Sequence, residues 1–169
     1  LEGMMRALVT GDRQLFSACA RAGDFVEVED PDGWFRPLKP HESDRITVTG
    51  ILDHETLGCI LPLASLTVVP SKWPEAFGMV AVEAMAAGAR IVASRTPPVQ
   101  EMIRDGETGR LVEFFDVAGW SAALIDVLAD PARADAMAAA ARAKIVADYD
   151  LRRVCLPRLI DFVEGRAAG

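Results

Sequence analysis

Two carboxylates eight residues apart, Glu75 and Glu83, have the strongest claim to chemistry in this chain. They bracket Phe77-Gly78-Met79-Val80 in the stretch SKWPEAFGMVAVEAMAAG, residues 71–88. The pattern predicts a buried strand over 66–69, a turn punctuated by Pro and Gly, and a helix opening near Gly78 and closing at Gly88. At about 100° per residue, eight positions return to within roughly 80° of one direction, so both acids look over the same helix end. The first amides of that helix, at Phe77 to Val80, lack partners inside it and carry partial positive charge. Gly78 leaves the backbone open to a ligand. Phosphate on the amides, with hydroxyl-rich groups on the two acids, is the ligand that fits. The rest of the helix is apolar, which predicts packing on most sides and makes Glu83 costly unless something hydrogen-bonds it. The spacing fits a plainer account equally well: Glu75 solvated in its loop, and Glu83 paired with an arginine.

The elements that would hold these residues alternate. Residues 6–10 and 45–49 read as strands, the second ending at Gly50, and 25–28 as a brief one. Residues 13–22 carry a helix with Leu15, Phe16, Cys19 and Ala20 on one face, and 55–62 a short helix that Asp53 can cap. Further strands are expected at 91–94 and 110–113, around a short helix at 99–103 and the turn Asp105-Gly106-Glu107-Thr108-Gly109. Helices then follow over 117–128, 131–149 and 151–163, with Pro131 where a first-turn proline is tolerated. Residues 29–44, with three prolines and a glycine, are irregular. Within them Asp30-Pro31-Asp32 has a D-x-D form, and its composition is that of a tight turn. This order predicts an α/β fold: a Rossmann-like, doubly wound parallel sheet with helices on both faces and the C-terminal helices packed at its end. Ligands of such sheets bind beyond the carboxyl ends of the strands, where Gly50, Pro70-Ser71, Arg95-Thr96 and the Glu75 loop all fall. Residues 1–169 are read as a single, incomplete domain, with 1–3 a cloning or truncation remnant.

Bulk properties narrow the function classes. The formal charge is −7 and no Lys/Arg stripe is present, which argues against nucleic acid as a partner. Cys19, Cys59 and Cys155 are widely spaced and without a matching His cluster, the pattern of neither a disulfide framework nor a metal site, which points to a reducing, cytoplasmic setting. No apolar run is long enough to span a bilayer, although contact with a membrane surface stays open. His41 and His54 read as solvated residues, in a loop and at a helix start.

From Arg45 to Val163 the chain resembles the C-terminal half of retaining glycosyltransferases of the two-domain GT-B fold (group 1, family 4 type). The anchors are Thr49-Gly50, Leu66-Thr67-Val68-Val69-Pro70-Ser71, the E-x7-E block from Glu75 to Gly88, and Asp105 to Gly109. The resemblance implies that a nucleotide-diphosphate sugar, of the UDP or GDP type, donates a hexosyl group with retention and without a metal or other cofactor. Glu75 would meet hydroxyls of the transferred sugar and serve catalysis. Amides from Phe77, Gly78, Met79 and Val80 would hold sugar and diphosphate, and Glu83 the ribose. Ile51 and Leu52 match the family's nucleobase turn, and ordinary packing at a strand end explains them as well. The family's diphosphate-binding Arg and Lys have no counterpart, the chain being read as starting at the domain's second strand, and the acceptor-binding N-terminal domain is absent too. The expectation is a part of a longer enzyme that is inactive alone, its acceptor (saccharide, lipid or small molecule) unspecified. A Gly-Gly-x-x-Glu turn usual in the family is replaced here by Thr96-Pro97-Pro98-Val99-Gln100-Glu101. Two other readings compete: half of a nucleotide-sugar epimerase, against which the Phe-Gly-Met-Val block speaks, and a non-enzymatic Rossmann-like binding module.

Overall fold

The structure, a computed structural model, describes residues 2–22, 36–47, 49–71 and 76–166. They fall into two compact units, Leu1–Leu52 and Asp53–Gly169.

Among its described residues the first unit is helical where it is regular. Helices α1 (Glu2–Thr10) and α2 (Arg13–Ala22) are joined at Gly11, whose φ of 73° ends α1 in a left-handed turn. Asp12 then accepts a hydrogen bond from the Leu15 amide at 2.9 Å and starts α2. Ala7 is fully buried between them, with Leu8 and Leu15 packed against it. The strand expected at 6–10 is therefore a helix. A short apolar run cannot separate the two by periodicity, and the first turn of this helix lies ahead of that run, from Glu2. A single helical turn, α3 (Pro40–Ser43), stands inside the segment expected to be irregular, closed by a 2.9 Å bond from the Lys39 amide to Glu42. The strand expected at 45–49 is not formed by its described residues, and Ile46 is 42% exposed. Alternation supplies a face, but a strand also needs a neighbour for its amides and carbonyls. The expected strand at 25–28 and the Asp30-Pro31-Asp32 turn lie outside the described residues.

The second unit is the expected α/β sandwich. Strands β1 (Thr67–Val69), β2 (Ile91–Ser94) and β3 (Arg110–Val112) form a parallel sheet in that order, with Val68 opposite Val92 and Ala93 opposite Leu111. The central strand is buried along its whole length, as a strand covered on both faces should be. Successive side chains point to opposite faces, and two cores result. Val69, Ile91, Ala93 and Leu111 pack with α5 (Met79–Ala87) and α6 (Pro97–Met102). Val92 and Val112 pack with α7 (Val117–Ala129). Helix α8 (Pro131–Tyr149) serves both, giving Ala134 and Met137 to the second core and Ala141 and Ile145 to the first.

Aspartates fix the helix starts. Asp53 accepts from Thr56 at the head of α4 (His54–Ile60), Asp116 from Gly119 and Asp130 from Arg133, at 2.8–3.0 Å. Helix α6 begins at Pro97, earlier than expected, because a first-turn proline needs no amide partner. The last helix is not uniform: Leu151–Cys155 is a π turn leading into α9 (Leu156–Val163). Pro157 cannot donate to the Arg153 carbonyl and crowds it, and the wider turn just before it relieves that conflict. Of the C-terminal helices α8 is packed, whereas α9 leaves Leu159, Phe162 and Val163 more than half exposed.

Candidate functional site

The site is built on α5 and the strand before it. Gly78 stands at the helix start with φ 82° and ψ 43°, a left-handed conformation, and no side chain caps the end. Its carbonyl receives the Ala81 and Val82 amides at 3.0 and 3.2 Å, so the helix proper begins there and its first amides look out of it. At the other end Gly88 closes a Schellman turn: its amide reaches the Met85 carbonyl at 3.0 Å, and Ala89 reaches Ala84 at 2.9 Å. Arg142 adds a bond to the Ala86 carbonyl at 3.0 Å, a cation at the negative end of the dipole. The helix is held at its C-terminal end, and among the described residues no side chain caps its amino end.

Packing on most sides, expected from composition, is not what α5 shows. Ala81, Ala84 and Met85 are buried, yet Met79 and Val80 are 53% and 56% exposed. Their neighbour Phe77 is partly exposed and sets its ring edge-on to Tyr149 of α8, centroids 5.7 Å apart. Three apolar side chains thus surround the uncapped amides.

Glu83 lies in the middle of α5, one-third exposed, on the wall of a cleft of about 280 Å³ between α4 and α5. Among the described residues its charged-group contact is a histidine, where the plainer sequence account put an arginine: Oε1 is 3.6 Å from Nδ1 of His54, an ion pair only when the imidazole is protonated. That contact joins residues 29 positions apart and has no sequence signature, so His54 read as merely solvated. Glu75 lies outside the described residues, as do Lys72, Trp73 and Pro74. Ile51 and Leu52 end the first unit; Ile51 is fully exposed, so packing at a strand end does not account for it.

The carboxyl ends of β2 and β3 carry a cation of their own. Arg95, just after β2, pairs with Glu113, just after β3, at 2.6 Å and with Asp105 at 3.6 Å. An anion could recruit this guanidinium only by displacing those acids. Next to it Thr96 is fully buried with its hydroxyl unpartnered. Among the described residues there is no His/Cys/Asp/Glu group able to hold a metal ion, and no helix long and apolar enough to cross a membrane.

Comparison with known proteins agrees with this architecture. Residues 38–144 match the family of glycosyl transferases group 1. Glycogen synthase of Mycobacterium tuberculosis (strain CDC 1551 / Oshkosh) is 43% identical over 105 residues, 62% of this chain and 25% of that protein. D-inositol 3-phosphate glycosyltransferase of Mycolicibacterium vanbaalenii is 40% identical over 91 residues, 53% of this chain and 20% of that protein. The chain therefore spans about a quarter or less of these relatives. Sucrose-phosphate synthase from Thermosynechococcus elongatus superposes with a TM-score of 0.68 at 34% identity, over 76% of this chain and 32% of its own. Anabaena HepE, solved with UDP-glucose, gives a TM-score of 0.69 over 92% of this chain and 38% of its own; at 17% identity that shows the shared fold alone. The chain belongs to the glycosyl transferases group 1 family.

Proposed function

We propose that this chain is the donor-binding part of a glycosyltransferase that moves a hexosyl group from a nucleotide-diphosphate sugar with retention of configuration. The observation that carries the reading is the amino end of α5. It has a left-handed glycine and, among the described residues, no capping side chain and a carboxylate five residues along the same helix that contacts a histidine and no arginine. At 1.5 Å per residue those five residues place Glu83 about 7 Å along the axis from the amides, a span that a ribosyl diphosphate covers.

In this reading the amides of residues 77–80 hold the diphosphate, Glu83 takes the ribose hydroxyls, Glu75 meets the transferred sugar, and Ile51 and Leu52 meet the base. Cleavage of the anomeric bond leaves positive charge on the sugar and negative charge on the departing diphosphate. Fixed dipoles aimed at that diphosphate stabilise the charge as it forms and need no metal to do so. HepE, a protein of the same fold, was crystallised with UDP-glucose, which supports a donor of this class. Transfer itself needs an acceptor site, which we assign to sequence beyond this span.

Calorimetry of the folded chain with UDP, GDP and ADP tests the reading. Measurable heat with one of the three is expected, and no sugar transfer. Silence with all three, in a chain shown by circular dichroism to be folded, refutes it.

A further inference from the structure

The contact that the family reading does not use is His54 against Glu83. Both line the cleft between α4 and α5, whose other walls are the apolar side chains of Leu57, Leu61, Ala86 and Ala87. His54 is the first residue of α4, and its imidazole is 88% exposed. At 3.6 Å from Oε1 its Nδ1 stands just outside ordinary hydrogen-bond distance, so the carboxylate is approached but not yet taken. We propose that His54 is a positioning residue for Glu83, leaving both carboxylate oxygens to the vicinal hydroxyls of a ribose when neutral and competing with them for Oε1 when protonated. The proposal rests on the donor-binding reading above.

The physical argument is one of competing donors. A carboxylate that binds a vicinal diol accepts one hydroxyl on each oxygen. An imidazolium beside Oε1 is a charged donor tethered to the same wall, and it withdraws one of those acceptors. Imidazole as a residue type changes its charge between pH 5 and 8, which sets the two pH values to compare.

The other titratable groups near the pair are committed or turned elsewhere. Asp53 precedes His54 and acts on it through charge, but its carboxylate accepts from the Thr56 amide at 2.8 Å. Glu55 and Cys59 are the remaining ones on α4 and are both exposed. On α8, which packs against α5, Arg142 is bound to the Ala86 carbonyl and Tyr149 to the Phe77 ring. The 3-10 turn Leu61–Leu63 and strands β1 and β2 add no titratable side chain.

The test has one arm without ligand and one with it. Imidazole proton shifts of the chain, which has two histidines, are titrated by NMR in the wild type and in Glu83→Gln, His54→Gln identifying the signal. Removing the carboxylate 3.6 Å away should change the His54 ring signals and leave those of His41 alone. In the second arm UDP-glucose, whose diphosphate diester has no titration in this range, is bound at pH 5.5 and 7.5. Wild type should bind about two- to fivefold more weakly at pH 5.5, the range an exposed ion pair supports. His54→Gln should show a flat profile, and the 2′-deoxy form of the same nucleotide sugar should lose most of the pH dependence. Unchanged His54 signals in Glu83→Gln, or the same pH profile in wild type and His54→Gln, overturn the proposal. If the His54 signals change but UDP-, GDP- and ADP-glucose all fail to bind at either pH, the donor-binding reading fails. The assignment of a ligand to this pair then fails with it, while the contact itself stands.

Discussion

Replacing Glu83 by glutamine separates a binding carboxylate from a structural one. The side chain keeps its volume and one acceptor oxygen and loses its charge. For folding, the loss is confined to an ion pair with an imidazole that is 88% exposed. Such pairs contribute at most about 1 kcal/mol, so the melting temperature should fall by no more than about 4 °C. Binding is affected more. Two hydroxyl bonds to a charged acceptor contribute about 1.5–3 kcal/mol each, and neutral ones about half as much. The variant should therefore lose about 1.5–3 kcal/mol of affinity, roughly 12- to 150-fold. Calorimetry with the nucleotide diphosphate that binds wild type, beside thermal denaturation of both proteins, reads the two quantities independently. An affinity within threefold of wild type refutes the assignment of Glu83 to the ribose. A loss of melting temperature matching that of a core truncation would make Glu83 a folding residue instead.

Four further outcomes follow from the packing. Met85, fully buried in the core shared by α5 and α8, should cost about 2–5 kcal/mol of unfolding free energy when cut to alanine, read by urea denaturation. Gly109→Ala places a Cβ 2.7 Å from the Ile91 Cγ2 and 3.2 Å from the Ile91 carbonyl, so about 1–3 kcal/mol should be lost in the same assay, whereas a cost under about 0.5 kcal/mol would show that the strand ends can part. Gly78→Ala forces a side chain into a left-handed conformation, at about 1–2 kcal/mol, and it should weaken nucleotide binding by more than its effect on stability explains. Hydrogen bonds and charge from Arg133, with further charge from Arg110, hold the Asp126 carboxyl below its ordinary range. The stability it adds is present at neutral pH and is lost as pH falls through that lowered value, so wild type and Asp126→Asn should differ in denaturation midpoint at pH 7 and approach each other as pH falls below the ordinary Asp range; a difference constant with pH refutes it.

Most of the second unit was legible because its boundaries are chemical. Asp53, Asp116 and Asp130-Pro131 announce helix starts, and Gly88 and the Asp105–Gly109 turn announce ends. The apolar runs 66–69 and 91–94 are short, β-branched and bounded by turn residues, which is how a strand covered on both faces differs from a helix. The first unit failed that reading where the signal was weakest. Its residues 6–10 continue a helix that begins at Glu2. Residues 45–47 keep a strand pattern without a ladder. The site was legible in part. The spacing of Gly78 and Glu83 on one helix is a property of sequence, but the approach of His54 to Glu83 depends on how α4 lies against α5, which no local pattern encodes.

Helix α5 shows most plainly where folding and binding part company. A helix apolar nearly all round reads as buried nearly all round, and only Ala81, Ala84 and Met85 of the Ala81–Met85 stretch are buried. That stretch, with Gly88 and Arg142 fixing the far end, accounts for how the helix is held. It leaves Met79 and Val80 without a packing reason to be apolar, since polar residues at 53% and 56% exposure would fold as well. On the proposed reading their reason is electrostatic. Amides that must hold a diphosphate do so best where water is displaced, because the same dipoles interact more strongly at low dielectric. A charged or hydroxylated side chain at 79 or 80 would either cap the amides itself or carry water to them. Apolar side chains around an uncapped helix start do neither, and that combination is what an anion site requires and a packed core does not.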